Sequence, residues 1–302
     1  RDGQQETTET SRYVLAPSLS WNIDDNNHLA INLYHQNDPE MVPSTPLPAV
    51  GTIYTAPYGK LDANAYAGDE NWNEFERQVT MFGYKYTHSF NSDWSFLQNF
   101  RYTDAKALQR NIYNNGLAED QQTLLRSAYE TDEAIEGFSV DNQLSGHFAL
   151  GNTSHHLLFG FDYQNSNSDV IYRDTLGLGT PTIDLSDPDH AQINVNTLPI
   201  NYYSEVHDIK QKQAGFYLQD EISLGNLLVI LNARYDQFNS TDVAKNSYAG
   251  SKYGSTTKID QSEFSGRIAA MYSFDAGYRV YANYSESFEP VSGTDAETGH
   301  AF

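Results

Sequence analysis

Hydrophobic and polar residues alternate along much of this chain with a period of two, which is typical of β-strands. In residues 94–102 the side chains of Trp94, Phe96, Phe100 and Tyr102 share one parity, while mostly polar residues hold the other. Because successive strand residues point to opposite faces, one face of this segment is aromatic. Such a face requires an apolar environment, which is either a protein core or a membrane.

The same alternation, bounded by turn residues, predicts about ten strands. Their approximate ranges are 10–22, 28–36, 73–90, 94–106, 134–150, 155–173, 206–224, 227–239, 260–274 and 278–289.

The predicted connections fall into two classes that alternate along the chain. Tight turns rich in Gly, Asn and Asp are expected at 24–27, 91–93, 151–153, 225–226 and 275–277. Long polar segments separate these hairpins, near 37–72, 107–133, 174–205 and 240–259. Loops longer than about 12–15 residues are uncommon in compact domains. An outer-membrane barrel, by contrast, has short periplasmic turns and long outer loops, so the pattern predicts an all-β, antiparallel, up-and-down barrel of this kind.

The two faces of the predicted strands support a membrane barrel. In residues 227–235 the odd positions are apolar, whereas Asn232 and Arg234 occupy even ones. We expect the apolar face to contact lipid and the polar face to line the lumen. Trp94 is expected in the periplasmic aromatic girdle. Asp220 shares parity with apolar residues, so it is predicted to lie near the membrane interface, where a charge costs little.

Composition narrows the class of protein further. The net charge is −22 with 40 acidic and 18 basic residues, which disfavours nucleic-acid binding. No apolar run approaches the length of a membrane helix, and there is no cysteine for disulfides or thiolate chemistry. The opening residues RDGQQETTET resemble the middle of a chain, so we expect a fragment or a processed product.

Several segments together match the motifs of one family. The hairpin that contains Gly215–Asp220, Ile222 and Ala233–Asp236 resembles the YxQD…RYD pattern of the TonB-dependent siderophore receptors. Further matches, in the order and spacing of the ferrichrome-type branch, are Leu47-Pro48, Gly51-Thr52, Pro57, Gly59-Lys60, Asp141–Leu144, His156–Leu158, Gly160, Asp162-Tyr163, Ser265–Arg267, Tyr281–Gly293 and Phe302.

The resemblance implies a bacterial outer-membrane transporter with a 22-stranded barrel and an N-terminal plug. Such a receptor binds a ferric siderophore at its outer mouth and imports it with energy from the TonB complex. Residues 1–302 would be about ten strands from the middle of that barrel. The plug, the TonB-contacting segment and the last strands would lie outside this chain.

The resemblance also suggests where ligand would bind. Tyr113 and Asn115 fall where the family has ligand-contacting aromatics, and Ile171 with Tyr172 falls near another such position. Ser44 and Pro46 replace a Tyr and a Trp of the ferrichrome receptor. The expected ligand is therefore a hydroxamate or related siderophore other than ferrichrome itself. Alternatively, Tyr113 and Tyr172 are ordinary tyrosines of the outer girdle or loops.

No enzymatic, cofactor or metal site is predicted. His155 and His156 are adjacent and should point to opposite faces of a strand. Residues 187–190, Asp-Pro-Asp-His, are better explained by turn formation than by cation binding. The siderophore itself would hold the iron. A passive porin and a non-transporting binding barrel remain alternatives, and acidic outer loops could contact lipopolysaccharide through divalent cations.

Overall fold

The computed structural model describes residues 2–5, 8–42 and 45–290, and almost all of the regular structure in these ranges is β-strand. Two single-turn 3₁₀ helices, Glu70–Trp72 and Ile200–Tyr202, interrupt the loops. No helix in the described ranges is long and apolar enough to cross a bilayer. The strands are β1 Ser11–Leu15, β2 Ser18–Asn22, β3 Asn27–Glu40, β4 Glu74–Ser89, β5 Trp94–Leu117, β6 Thr123–Leu150, β7 Thr153–Asp174, β8 Ile183–Asp184, β9 Tyr203–Leu224, β10 Leu227–Tyr248, β11 Ser251–Ser273 and β12 Arg279–Ser285.

All pairings between these strands are antiparallel, and they build one sheet. Neighbours follow the order β1-β3-β4-β5-β6-β7-β9-β10-β11-β12, with β2 paired to β3 and β8 to β6. Among the described residues the first and last strands of this order do not pair with each other, so the sheet is open. Each predicted strand is present. The first one is divided into β1 and β2 at Ala16 and Pro17, since proline has no amide hydrogen to donate.

The predicted long loops at 107–133 and 240–259 are wrong, because most of these residues belong to strands. Strands β5 and β6 continue through the first of these segments and are joined only by residues 118–122, while β10 and β11 are joined by Ala249 and Gly250 alone. Both turn residues have positive φ, 49° and 84°, as a two-residue hairpin requires. These outer strand ends mix polar and apolar residues on both faces, so periodicity did not reveal them. The two long connections that remain are loop A, residues 41–73, and loop B, residues 175–202, which fall on the predicted segments 37–72 and 174–205.

One face of the sheet carries a continuous apolar band across the strands. The register aligns Ile31 with Tyr84, Tyr84 with Phe100, and Phe100 with Val140. The band then continues through residues from β7 to β12: Phe161, Phe216, Tyr235, Phe264, Leu231, Ile268 and Tyr284.

Exposure differs between the two faces in the way that curvature predicts. On the apolar face Phe264 is 63% exposed and Phe216 51% exposed, whereas on the polar face Asp236 and Ser265 are 2% and 7% exposed. Side chains on the convex side of a curved sheet splay apart, and those on the concave side crowd together. The apolar face is therefore convex and the polar face concave, as in a barrel with lipid outside.

Asp220 is a charged residue within the apolar band, and it has a partner. The Nδ1 atom of His155 lies 2.8 Å from Asp220 Oδ2, on the neighbouring strand. The ring of Phe148 stacks on His155 with a centroid separation of 4.8 Å. All three residues lie near the short-turn end of the sheet, which is the predicted place for a charge on this face.

Beyond the band, the β5–β6 hairpin projects past its neighbours, and loops A and B pack around it. Leu124 joins Ala67 of loop A with Ile183 and Leu185 of loop B in one buried cluster. A second cluster unites Trp72, Ile112, Ala128 and Ile193. The even-numbered hairpin residues of these clusters have the parity of the apolar band, so both loops cover that face of the hairpin.

Arg126 holds the two loops together from the centre of this hairpin. Its side chain is fully buried and donates to the carbonyls of Pro181, Ala67 and Gly68 at 2.8, 3.2 and 2.9 Å. Asp69 of loop A, also fully buried, lies 3.8 Å from the same guanidinium and accepts from the amides of Gln192 and Ile193 in loop B. Desolvation by burial lowers the pKa of Arg126 from its ordinary value. Loops A and B thus form one packed unit around a buried ion pair.

The opposite character of the two faces predicts opposite responses to the same charge. We expect Phe159→Lys, on the apolar face, to lower the free energy of unfolding in lipid vesicles by about 2–4 kcal/mol, because the ammonium would enter hydrocarbon. The matched variant Gln164→Lys, on the polar face of the same strand, should change it by less than about 1 kcal/mol. Urea unfolding of the full-length protein in vesicles measures both. Equal destabilisation would contradict the assignment of faces.

Removing the guanidinium of Arg126 should loosen loops A and B without unfolding the sheet. Arg126→Met keeps most of the side-chain volume but leaves Asp69 and three carbonyls without their partner. We expect the local opening free energy of loops A and B to fall by about 3 kcal/mol. Amide hydrogen exchange would show faster exchange at Gln192 and Ile193 and unchanged protection in β9 and β10. The exposed Arg101→Met is the control, and unchanged exchange in Arg126→Met would show that the ion pair does not hold the loops.

Candidate binding site at the outer mouth

The concave face carries a network of charges that crosses four strands. Arg234 of β10 donates to Asp162 of β7 at 2.6 and 3.1 Å and to Asp236 at 2.6 and 2.7 Å. Gly215 of β9 lies between them, and a side chain there would overlap the guanidinium. The glycine of the GFYLQD segment therefore gives Arg234 a path across β9 to its acceptor on β7.

The side chain of Tyr217, on β9, likewise crosses a neighbouring strand at a glycine. Its hydroxyl donates to Asp141 of β6 at 2.6 Å, and its ring lies where a side chain on Gly160 of β7 would be. The guanidinium of Arg234 is 5.5 Å from the centre of that ring, a cation–π distance. This part of the concave face is consequently a connected network of polar side chains.

A row of tyrosines lines the concave face at the outer end of the strands. Adjacent ring centroids are separated by 6.0 Å, 6.2 Å, 6.2 Å and 6.5 Å along the series Tyr113, Tyr129, Tyr172, Tyr203 and Tyr248. These separations are within the range of favourable aromatic pairs. The register explains the row, because Tyr129 is opposite Asp174, Asp174 is opposite Tyr203, and Tyr203 is opposite Tyr248. We call these five residues the tyrosine row.

Asp174 fixes the orientation of two of these rings. The hydroxyls of Tyr113 and Tyr172 both donate to its Oδ2 atom, at 3.0 and 2.5 Å, while its Oδ1 accepts from the amide of Leu176. Asp174 is only 1% exposed. Burial, followed by hydrogen bonding and proximity to Asp174, raises the pKa of Tyr172; burial is also the largest cause of the raised pKa of Tyr113. Both tyrosines therefore remain neutral donors, and their rings are held in place.

The structure brings together two of the four residues that the sequence suggested. Tyr113 and Tyr172 belong to the tyrosine row. Asn115 lies exposed near the outer end of β5, at an irregularity in its pairing with β6, and a side chain on Gly177 of loop B would be 3.2 Å from its nitrogen. Ile171 is partly buried and, as the neighbour of Tyr172 in a regular strand, points to the other face. Pro46 is exposed, while Ser44, residues 291–293 and Phe302 lie outside the described residues.

Sequence reasoning missed Tyr129, Tyr203 and Tyr248. Tyr129 and Tyr248 lie in segments that were predicted to be loops, and Tyr203 lies at the end of a third, so no face was assigned to any of them. Their shared position at the outer end of the sheet could have indicated them. Tyr203 begins β9 and Tyr248 ends β10, while Tyr129 lies opposite Asp174, the last residue of β7.

The arrangement offers recognition surfaces rather than reactive groups. Among the described residues, no group of three His, Asp, Glu or Cys side chains is placed to hold a metal ion. Asp189 accepts from the amide of Ala191 at 3.0 Å, which is turn geometry. His155 and His156 lie on opposite faces: His155 contacts Asp220, while His156 stacks on His147 at 4.0 Å. A partly apolar ligand could bind to the ring faces of the tyrosine row and to polar groups beside them.

Comparison with known proteins identifies relatives of this chain. It is 32% identical over 310 residues to the ferrichrome outer membrane transporter/phage receptor of Escherichia coli K12, covering 96% of this chain and 41% of that protein. It is 33% identical over 297 residues to the ferrioxamine B receptor of Salmonella typhimurium LT2, covering 97% of this chain and 40% of the relative. The chain thus spans about two fifths of the length of these relatives.

A solved structure shows the same fold. The ferric-catecholate import receptor Fiu of Escherichia coli K12, in its closed form, superposes with a TM-score of 0.80 at 16% identity, over 99% of this chain and 48% of that one. The family model described as TonB dependent receptor-like, beta-barrel matches residues 7–300. The chain therefore belongs to the TonB-dependent receptor β-barrel family of the bacterial outer membrane.

Proposed function

We propose that the whole protein binds a ferric siderophore at its outer mouth and imports it in a TonB-dependent manner. The observation that carries this proposal is the tyrosine row, which lies on the concave face at the end of the sheet where the long connections are. Family membership and the functions for which the relatives are named support the same proposal. Residues 1–302 would form part of the transmembrane barrel domain of that receptor.

Recognition would use ring faces and hydrogen bonds rather than iron ligands. The siderophore would keep its metal fully coordinated, and the rigid rings of Tyr113, Tyr129 and Tyr172 would contact its organic shell at little cost in conformational entropy. Asn115, exposed near the same rim, would supply an amide. Ile171 would act indirectly, by packing on the other face and fixing the strand that presents Tyr172.

A hydroxamate-type siderophore is the ligand class we favour. Two relatives at 32% and 33% identity are named for ferrichrome and ferrioxamine B. The tyrosine row is neutral and its one buried carboxylate, Asp174, is already engaged by two hydroxyls and an amide. Such a surface suits a ligand without a large net charge.

The remaining partners follow from the two faces. The TonB complex would act through a region of the protein outside this chain, and the paired charges of Arg234, Asp162 and Asp236 would face a plug within the lumen. The apolar band would contact outer-membrane lipid, including the acyl chains of lipopolysaccharide.

Shortening a tyrosine of the row should weaken siderophore binding. We expect Tyr113→Ala and Tyr172→Ala each to raise the dissociation constant of a ferric hydroxamate about 5- to 30-fold, a loss of about 1–2 kcal/mol. Tryptophan fluorescence quenching of the full-length protein, titrated with ferric hydroxamates and ferric catecholates, measures the change. The control is Tyr54→Ala, a loop A tyrosine that is 66% exposed. Unchanged affinity in both row variants would make the row a structural feature only.

Energy coupling distinguishes a transporter from a passive pore. In cells that lack TonB, we expect accumulation of the iron-loaded siderophore to fall to background while binding at the surface persists. A passive porin would continue to admit the ligand at a rate proportional to its concentration. Uptake of radioactive ferric siderophore, with and without TonB and with a protonophore, provides the test.

A further inference from the structure

The first six residues of loop B, 175–180, form a tight turn beside the tyrosine row, with the sequence TLGLGT. Asp174, the last residue of β7, orients the rings of Tyr113 and Tyr172 through its Oδ2 atom. Its Oδ1 atom accepts from the amide of Leu176 at 2.6 Å. The turn therefore begins at the carboxylate that holds two rings of the row. We call residues 175–180 the leucine turn.

The leucine turn lies against the face of the β5–β6 hairpin that carries the row. A side chain on Gly177 would lie 3.5 Å from the Oγ atom of Ser127 and 3.2 Å from the side-chain nitrogen of Asn115. Ser127 is directly opposite Tyr113 in the register, and opposite residues of paired strands share a face. Gly177 has a φ of 84°, which glycine adopts without steric cost. The glycine thus lets the turn approach the hairpin closely on the concave side.

Buried hydrogen bonds fix the base of the leucine turn to β6. The amide of Thr175 donates to the carbonyl of Ala128 at 3.0 Å, and its hydroxyl oxygen accepts from the amide of Ala128 at 3.1 Å. The hydroxyls of Thr175 and Thr180 lie 2.7 Å apart, and both threonines are buried. The amide of Leu178 closes the turn by donating to the carbonyl of Thr175 at 2.9 Å. The turn is therefore a fixed part of the rim and holds its exposed side chains in a defined place.

Leu176 and Leu178 project from this anchored turn into solvent. They are 44% and 52% exposed, although both side chains are large and apolar. Leu176 also has a φ of 48°, in a region that Asn and Gly adopt more readily than leucine does. Turn formation and solubility would both favour Asn or Gly at this position. Backbone outliers of this kind cluster at sites that contact ligands. The turn therefore presents the leucine side chains themselves beside the row.

The chemistry of hydroxamate ligands gives these side chains a role. A hydroxamate siderophore joins its iron-binding groups through chains of methylene groups. Removing such chains from water against an apolar surface stabilises a complex, and ligand sites combine apolar surfaces with a few polar groups. We propose that Leu176 and Leu178 contact the aliphatic chains of a ferric hydroxamate bound at the tyrosine row. The two leucines then determine which hydroxamates bind tightly. This inference rests on the siderophore-binding function proposed above.

The test uses the full-length protein in vesicles and a series of linear ferric trihydroxamates that differ only in the number of methylene groups per chain. Tryptophan fluorescence quenching measures the dissociation constant of each complex. In the double variant Leu176→Asn/Leu178→Asn, we expect this constant to rise about tenfold for the longest chains and less than about twofold for the shortest. Asn keeps the left-handed conformation at position 176 accessible. The control is Val195→Asn, elsewhere in loop B and 50% exposed, which should bind every member as the wild type does.

Two results would overturn the inference while the siderophore function stands. One is unchanged affinity of the double variant for all members of the series, which would leave the leucines to another partner. The other is an equal loss for all members, because the leucines would then stabilise the protein itself rather than contact the chains. If the wild type bound no ferric hydroxamate, the proposed ligand class would fail together with the inference. The dependence on chain length therefore tests the leucine turn separately from the tyrosine row.

Discussion

A bilayer accepts a strand only if its backbone is fully paired and the side chains on one face are compatible with hydrocarbon. That constraint organises this molecule. Neighbouring strands pair antiparallel along almost their entire length, and the apolar band from Ile31 to Tyr284 is the surface that lipid would cover. Polar residues are then left for the concave side, where Arg234, Asp162 and Asp236 satisfy one another instead of being exposed to lipid.

Beyond the bilayer the constraint disappears, and the structure changes accordingly. The strands keep their hydrogen bonds but no longer need a continuous apolar face, so β5, β6, β10 and β11 continue with polar and apolar residues mixed on both faces. The long loops must instead build a small core of their own. They do so around the β5–β6 hairpin, with Arg126 and Asp69 buried between them. The same extension carries the tyrosines of β5, β6, β7, β9 and β10 to one rim, since antiparallel register places their outer ends side by side.

This contrast explains what the sequence could predict. Where lipid imposes a period of two, as in residues 94–102 and 227–235, the strands, their faces and the tight turns between them were readable. Where polar and apolar residues are mixed on both faces, the pattern carries no information, so the outer parts of four strands were taken for loops. The Ala249-Gly250 turn also lacks the usual Asn or Asp at its first position. Asp220 was recognised as an exception, but its partner His155 comes from a strand 65 residues earlier and is visible only through register.

The binding site, too, could be predicted from the sequence only in part. Tyr113 and Tyr172 were reached through family resemblance, whereas Tyr129, Tyr203 and Tyr248 join them only because the extended strands bring distant residues together. Likewise, no local pattern links Asp69 to Gln192 or Arg126 to Pro181. Contacts between loops depend on how each chain segment returns over the hairpin, and short-range periodicity does not encode that path.

Both the fold and the proposed binding site depend on which face of the sheet meets lipid. Because these 302 residues contain no cysteine, single cysteines at positions 155–164 other than Gly160 and Asp162 can each carry a spin label in the full-length protein reconstituted in vesicles. Accessibility to oxygen, which concentrates in lipid, and to a water-soluble nickel complex can then be compared at each position. We expect a period of two, with oxygen favoured at 157, 159 and 161 and the nickel complex at 156, 158 and 164. No alternation, or the opposite phase, would contradict it.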